Sequence, residues 1–217
     1  VLYKVLITIQ IIIFVSLLSA SFIVLRQISF SKNHDPGFNT ENLVMAEFQS
    51  GLINDYGAFK YDLLRNPNIE DLSFGGLLPP TRSGMVGIVK PEGGGPDIRV
   101  EGISADFSFI KTAGINIIAG RDFNPMLASD SSATIINRSL ASKIGATAEN
   151  LHEIKSPQNV IGIIEDIQIH SVKEEIGPMD LRITVPKYVS SAFIRVLPGT
   201  ESEVAEFLEE TFSAYNP

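Results

Sequence analysis

The pattern of hydrophobic and polar positions changes abruptly near the start of this chain. No charged residue occurs between Lys4 and Arg26, and residues 5–25 are apolar almost throughout. At about 1.5 Å per residue, an α-helix of this length spans the ~30 Å hydrocarbon core of a bilayer. A helix also satisfies its own backbone hydrogen bonds in lipid. The pattern therefore predicts a transmembrane helix rather than a buried core helix, which seldom runs this far without a charge.

A cleaved signal peptide is the alternative interpretation of the same segment, because residues 19–21 are small and resemble a cleavage site. A signal core usually has ~7–15 apolar residues, whereas residues 22–25 continue the apolar run. The helix is therefore expected to stay in the mature protein. Since the sequence begins with Val1, further sequence is expected upstream. The few flanking basic residues do not indicate which way the helix is oriented.

Downstream of this helix, short apolar strands alternate with amphipathic helices. Strands are predicted at 43–48, 69–74, 85–89, 98–103, 115–119, 133–136, 160–164, 181–185 and 192–197. Helices are predicted from a cap at Asn54 or Asp55 to residue 66, over 106–113, from a cap at Asn137 to Gly145, and from Thr200, with Glu203 completing a capping box. This alternation predicts a mixed α+β domain.

Two stretches rich in glycine and proline, residues 78–83 and 92–96, interrupt the strands. The glycines at 93–95 could suggest a phosphate-binding loop. They lack the Gly-Lys-Ser/Thr ending, however, and an alternating strand follows them instead of a helix. The run is therefore predicted to be the loop of a β-hairpin.

Charge and cysteine content exclude several kinds of function. After Arg26 the chain has 15 basic residues against 25 acidic ones, a formal charge of −10. Nucleic acids and anionic lipid surfaces require clustered Lys and Arg, so neither is an expected partner of the globular part. The chain has no cysteine, which excludes a disulfide framework, a thiolate metal site and a cysteine nucleophile.

No arrangement of side chains in the sequence supports catalysis. His34, His152 and His170 lack metal-ligand spacing and are predicted to be surface residues. Adjacent residues of a strand point to opposite faces, so the pair at 165–166, Glu and Asp, is interpreted as a solvated strand end. The pair at 121–122, Arg and Asp, follows a tight turn and is expected to form a structural ion pair or a turn cap. We expect no enzyme activity, no cofactor and no metal.

Several stretches of the chain together resemble a known family, the MacB/FtsX-type ABC transporter permeases, in the form common in Bacteroidetes-like bacteria. The sequence that leaves the helix, Asp-Pro-Gly-Phe-Asn at 35–39, is similar to the family's Asp-Leu-Gly-Phe-Asn. The most specific match runs from Asp106-Phe107 through Lys-Thr-Ala-Gly-Ile at 111–115 to Ala-Gly-Arg-Asp-Phe at 119–123. Segments 59–69, 133–145 and 160–166 extend it. Ala113 departs from the usual Leu, and a Gly-Lys step common after the helix capped by Asn137 is absent.

The resemblance implies a transmembrane helix at 1–27 and an extracytoplasmic, MacB-like periplasmic domain at 28–217. In the family this domain has a porter-like α+β lobe, expected here at 28–78 and 180–217, and a β-rich inserted lobe, expected at 79–179. The implied location is the bacterial inner membrane, with the domain in the periplasm or extracytoplasmic space. The implied role is export or mechanotransmission, driven by ATP hydrolysis in a separate subunit or domain.

The resemblance also implies partners, namely an ABC-type ATPase subunit, other permease helices or a second permease copy, and a periplasmic or outer-membrane protein. The helix would then be a stalk whose Gln10, Ser16, Ser19 and Ser21 face neighbouring helices. Contact with the outer partner is expected at exposed loop residues: Leu78, Pro79, Pro80, Gly93, Gly94 and Gly95. The alternatives are the ligand-sensing domain of a membrane-anchored signalling receptor and a membrane-anchored hydrolase.

Overall fold

The structure is a computed structural model that describes residues 2–32, 35–48, 55–75, 85–91, 94–154, 159–170, 174–184 and 190–215. Its helices are α1 (Leu2–Lys32), α2 (Tyr56–Leu64), α3 (Phe109–Ala113), α4 (Arg138–Ile144) and α5 (Glu201–Tyr215). Its strands are β1 (Leu43–Glu47), β2 (Ile69–Phe74), β3 (Met85–Val89), β4 (Ile98–Ala105), β5 (Ile117–Gly120), β6 (Thr134–Asn137), β7 (Val160–Ile164), β8 (Met179–Ile183) and β9 (Ser191–Val196). The predicted α+β class is confirmed.

The first unit of the structure, residues 1–35, contains α1. By length and composition, Tyr3–Ser29 can cross a membrane, and its side chains are exposed in the isolated chain. Within this span, the hydroxyl groups of Thr8, Ser16, Ser19 and Ser21 donate to carbonyls one turn earlier, as Ser16 does to Ile12 at 2.8 Å and Ser19 to Val15 at 2.8 Å. The helix thus satisfies these polar groups internally, which lowers the cost of placing them in lipid.

The second unit, residues 36–217, contains two sheets among its described residues. A three-stranded antiparallel sheet has the order β1-β9-β2. A six-stranded mixed sheet has the order β3-β4-β8-β6-β7-β5, with parallel pairs at β4–β8 and β6–β7. The predicted β3–β4 hairpin is confirmed by their antiparallel pairing. The predicted division into two lobes stays a prediction. Its boundary at residues 179–180 lies within β8, and β8 pairs within the six-stranded sheet.

Apolar side chains pack on both sides of the two sheets. The three-stranded sheet packs against α2 and α5 through buried residues such as Phe59, Leu72 and Leu208. A second cluster includes Phe193 of β9 with Ile103 and Leu181 of the six-stranded sheet, so the two sheets share a core. A third cluster packs α4 against the six-stranded sheet through Leu140 and neighbouring residues. Burial of these side chains, at about 1.5–3 kcal/mol each, is the main driving force for the fold.

Two predicted boundaries are wrong for local reasons around α3. The helix predicted to begin at Asp106 begins at Phe109, because the Asp106 carboxylate accepts the amide of Ser108 at 3.0 Å and forms a turn instead. The strand predicted from Ile115 begins at Ile117. The reason is that the Ile115 amide donates to the Ile110 carbonyl at 3.0 Å, completing the C-terminal cap of α3 around Gly114, which has φ +66°.

Some of the other predicted bounds differ from the structure by one or two residues, and others agree with it. Asp55 caps α2 by accepting the Ala58 amide at 2.9 Å, whereas Asn54 lies outside the described residues. Helix α2 ends at Leu64, before the predicted residue 66. The predicted end of β8 at Val185 also falls outside the described residues. Strands β2, β3 and β7 have the predicted bounds.

Candidate functional site

A groove lies beside the loop of the β3–β4 hairpin and has a volume of about 710 Å³. Gly94 and Gly95, two of the predicted partner-contact residues, line it together with Arg99, Lys143 and His170. The other predicted contact residues lie outside the described part of the chain: Leu78, Pro79, Pro80 and Gly93. The structure therefore places Gly94 and Gly95 in the lining of a groove, while their role in partner contact stays a prediction.

The two glycines are needed for the shape of the loop. Gly94 has φ +78° and Gly95 has φ +133°, and neither has a heavy atom within 4 Å of the position that a Cβ would occupy. Space is therefore open around them, while the backbone conformation favours glycine. The Gly94 amide donates to the Pro91 carbonyl at 3.1 Å, which closes the turn.

The groove has charges of both signs. His170 Nε2 lies 2.7 Å from a carboxylate oxygen of Glu101, and this pair joins β4 to the segment that follows β7. Arg99 and Lys143 supply positive charge, and Glu174 supplies negative charge. Among the residues that the structure describes, no group of three or more His, Asp or Glu could hold a metal ion. The described lining of the groove therefore offers charged side chains of both signs for polar contacts.

Among the strands that the structure describes, β3 lies at one edge of the six-stranded sheet, next to this groove. Val86 and Ile88 point away from the core and are 51% and 67% exposed. Glu101 of β4 is paired with Val86, and its amide donates to the carbonyl of Pro178, on the side of β4 away from β3. Residues paired in this register direct their backbone groups away from each other, so the N–H and C=O groups of Val86 and Ile88 face outward. The strand was predicted from the sequence at 85–89, but nothing in that sequence indicated that it lies at an edge.

The predicted pair at 121–122 forms a different set of contacts. The Arg121 guanidinium binds the Asp130 carboxylate with both terminal nitrogens, one of them at 2.9 Å, while Asp122 accepts the amide of Phe123 at 2.7 Å. The turn-cap interpretation holds for Asp122, but the ion pair is formed with Asp130. Asp130 is fully buried and also accepts the Asn124 amide at 2.9 Å. These contacts fasten the loop between β5 and β6.

The Arg121–Asp130 pair makes stability depend on pH in the acid range. Hydrogen bonding to Arg121 lowers the pKa of the Asp130 carboxyl from 3.8 to about 2. A carboxyl with a lowered folded-state pKa stabilises the protein above its unfolded pKa, and that contribution is lost as the pH falls towards the folded pKa. We expect Asp130→Asn to reduce the free energy of unfolding by about 2 kcal/mol at pH 6. The difference from wild type should shrink between pH 4 and pH 2.

This expectation can be checked by urea unfolding at a series of pH values, with Asp97→Asn as the control at an exposed position. A difference between Asp130→Asn and wild type that stays constant from pH 6 to pH 2 would contradict the assigned role of the pair. A change of the same size in the control would contradict it as well.

A buried polar cluster around Asn137 joins three parts of the six-stranded sheet. As predicted, Asn137 caps α4, and its Oδ1 accepts the Leu140 amide at 2.9 Å. The same oxygen accepts the Met179 amide at 2.9 Å, and Nδ2 donates to Asp166 at 2.7 Å and to the Gly177 carbonyl at 2.9 Å. The Oδ1 atom of this buried side chain thus accepts two hydrogen bonds, and both protons on Nδ2 are donated.

The interpretation of residues 165–166 as a solvated strand end is wrong. Glu165 pairs with Arg138 at 2.6 Å, and the Asp166 carboxylate accepts the Ser139 amide at 2.9 Å in addition to Asn137. Both side chains are half-buried. These carboxylates connect the end of β7 to the start of α4. Their contacts give both carboxylates a structural role.

The predicted surface histidines can be placed in part. His152 has a side chain that is 77% exposed, and His170 is exposed while it contacts Glu101. His34 lies outside the described residues.

Comparisons with known proteins identify the fold. No family model and no curated protein matches the sequence. The periplasmic region of MacB from Actinobacillus actinomycetemcomitans superposes with a TM-score of 0.51 at 11% identity, covering 83% of this chain and 88% of that one. The fold is that of the MacB periplasmic region. A permease domain from Porphyromonas gingivalis has the same TM-score at 17% identity, covering 82% of this chain and 86% of that one.

The extracellular domain of the noncanonical ABC-type transporter YknZ, from Gram-positive bacteria, has a TM-score of 0.49 at 14% identity and covers 79% of this chain and 95% of that one. The MacB region and the Porphyromonas gingivalis domain confirm, at the level of the fold, the resemblance to MacB-type permeases drawn from the sequence. In this chain the MacB periplasmic fold follows a helix long and apolar enough to cross a membrane.

Proposed function

We propose that this chain is a permease segment of an ABC transporter of the MacB/FtsX type. In this proposal α1 is a transmembrane stalk helix, and residues 36–217 lie outside the cytoplasmic membrane. A separate ABC-type ATPase hydrolyses ATP in the cytoplasm, and the helix carries the resulting motion to the domain. The activity is export or mechanotransmission, and this segment has no catalytic role of its own.

The observation that carries the proposal is the direct connection of a MacB periplasmic fold to an apolar helix. The helix has the length for a bilayer span, and its side chains from Tyr3 to Ser29 are exposed in the isolated chain. They therefore need lipid or other helices around them. The sequence lacks a phosphate loop, which agrees with ATP hydrolysis in another subunit.

The arrangement of polar residues on α1 supports two helix contacts rather than one. At about 100° per residue, Gln10 and Ser21 lie on nearly the same side of the helix, and Ser16 and Ser19 lie on the other side. Small and polar residues favour close helix packing in membranes. We therefore propose that α1 has neighbouring helices on two faces, supplied by the rest of the permease or by a second copy.

The location of the domain can be tested by labelling single cysteines, since the chain has none of its own. Ser131 is exposed in the domain, and Lys4 lies at the opposite end of the helix. In intact spheroplasts, we expect a membrane-impermeant maleimide to label Ser131→Cys and to label Lys4→Cys only after permeabilisation. Labelling of Lys4→Cys in intact spheroplasts, with protection of Ser131→Cys, would contradict the proposed orientation.

The loop at Gly94 and Gly95 remains our proposed contact with an extracytoplasmic protein, together with the residues at 78–80 and Gly93. It is exposed and borders the groove and the apolar edge of β3. A photo-reactive amino acid at Asp97, an exposed groove residue, should capture that protein in membranes. The same group at Glu206, on the exposed face of α5, is the control and should not capture it.

A further inference from the structure

Residues 36–42, downstream of α1, are fastened to the domain by contacts at several points. We call residues 36–42 the exit strap. At its upstream end, the Pro36 carbonyl accepts the amide of Gln168 at 2.8 Å. Next to it, Gly37 has φ +79° and lies so close to the Asp166 carbonyl that a Cβ would overlap that oxygen. The start of the strap is therefore held against the segment that follows β7.

The middle of the exit strap is held by the side chain of Arg195, which projects from β9. Its guanidinium donates to the Asn39 carbonyl at 3.1 Å and to the Glu41 carbonyl. It also donates to the Thr112 carbonyl in the last turn of α3, at 2.6 and 3.1 Å. A planar guanidinium with five fixed donors can serve several acceptors at once, which an ammonium cannot do in the same geometry.

Main-chain hydrogen bonds fasten the strap on both sides of Arg195. The Asn39 amide donates to the Ala113 carbonyl at 2.9 Å, and the Asn42 carbonyl accepts the Val196 amide at 2.9 Å. Phe38 is half-buried and packs against the core shared by the two sheets. Gly114 has φ +66° and lies where a Cβ would come within 2.9 Å of the Asn39 Cβ, so the strap fits closely against α3.

These contacts connect the strap to both sheets. Gln168 and Asp166 follow β7 of the six-stranded sheet, and Asp166 is bound to Asn137. Arg195 and Val196 belong to β9, the central strand of the three-stranded sheet. A pull on the chain just before Pro36 is therefore shared by several bonds that attach to different layers of the domain.

We propose that the exit strap transmits force from the preceding helix to the whole domain, and that Arg195 is the residue that positions it. The role as a transmission element rests on the proposed function. The attachment itself does not, because it is a property of the domain. With Arg195 in place, the domain moves as one body when the helix moves. Without it, the exit strap detaches from the domain first, and the motion of the helix extends the strap instead of moving the domain.

Pulling experiments on single molecules test this proposal without any ATPase. The chain is held in a nanodisc, and handles are attached at two introduced cysteines, Ser29→Cys and Ser131→Cys. The chain has no cysteine of its own that could react with the handles. In the otherwise native chain, we expect no extension before the domain unfolds. In Arg195→Gln, we expect an earlier step of about 25 Å, the length of seven extended residues at ~3.5 Å each.

Two further variants make the outcome specific. Arg65→Gln removes an arginine that ends α2 and has a side chain that is 72% exposed, and it should leave the trace unchanged. Arg195→Lys keeps the charge but loses the planar fork, and it should still show the early step. If Arg195→Gln does not fold, Gly37→Ala loosens the upstream end of the strap and should give an early step by itself.

The proposal is overturned if the strap of the native chain releases before the domain unfolds. It is equally overturned if Arg195→Gln, folded as judged by hydrogen exchange in β6 and β7, extends in one step like the native chain. Neither result would bear on the proposed function, which is tested by capture of an ATPase. Conversely, failure to capture an ATPase would leave the measured attachment intact and remove only its role in transport.

Discussion

Replacing Asn137 by alanine is expected to lower the free energy of unfolding by about 3 kcal/mol. The side chain is fully buried and forms hydrogen bonds with Leu140, Asp166, Gly177 and Met179. Its loss leaves the buried amides of Leu140 and Met179 without their acceptor, and each such group costs about 1–3 kcal/mol. Hydrogen exchange of the β6, β7 and β8 amides in the detergent-solubilised chain measures the change.

Asn150 provides a matched control for this substitution. It also makes two hydrogen bonds, accepting the Thr147 amide at 2.7 Å and donating to the Gly145 carbonyl at 2.9 Å, but at the surface. Water can replace those partners, so we expect Asn150→Ala to cost less than about 1 kcal/mol. Equal effects of the two substitutions would show that the Asn137 cluster is not a structural centre of the domain.

Replacing Ser19 by arginine is expected to abolish assembly of the helix with its neighbours. Ser19 lies in the middle part of the span Tyr3–Ser29 and donates only to its own helix, at Val15. An arginine near the bilayer centre costs about 2.5–3.5 kcal/mol, and it also places a large charged group where close packing is proposed. We expect at least a tenfold loss of co-purified partner subunits, since 1.4 kcal/mol already changes an equilibrium tenfold.

Two controls accompany this experiment. Ser19→Ala removes only the internal hydrogen bond and should assemble normally. Ile28→Arg introduces the same charge at the end of the span, where the side chain can reach the interface, and should have a small effect. If Ser19→Arg assembles and functions like the native chain, α1 is a simple tether and not a stalk helix.

The elements that could be predicted from the sequence are those whose cause is local. Strand β7 is a run of five residues, four of them large and apolar, bounded by polar ones, and its bounds were predicted correctly. Asp55 and Asn137 were predicted as helix caps, because a cap needs a side chain only three residues from its partner. The helix that can cross a membrane was likewise predicted from a local feature, an apolar stretch that no charged residue interrupts.

The features that could not be predicted depend on partners far away in the chain. Asp106 accepts the Ser73 hydroxyl at 2.7 Å and pairs with Lys60 at 2.9 Å, residues separated from it by 33 and 46 positions. These contacts support the turn that delays the start of α3. Arg195 reaches carbonyls more than 80 positions away. Spacing along the sequence carries no information about such contacts, and neither the strap nor the edge position of β3 could be derived from it.

The residues predicted to contact a partner were located only in part from the sequence. Glycine and proline marked residues 92–96 as an exposed loop, and Gly94 and Gly95 do line a groove. The sequence did not predict the charges that complete this groove, Lys143 from α4 and His170 after β7, because strand order brings them together. A loop can be located from composition, whereas its surroundings require the fold.

The most direct test of the central claim is to isolate the protein containing this chain from its native membrane and identify what binds to it. The permease account predicts an ABC-type ATPase in the native complex and at least a tenfold loss of that ATPase with Ser19→Arg. Recovery of a protein in which this domain is joined to a signalling module, with no ATPase bound, would contradict it.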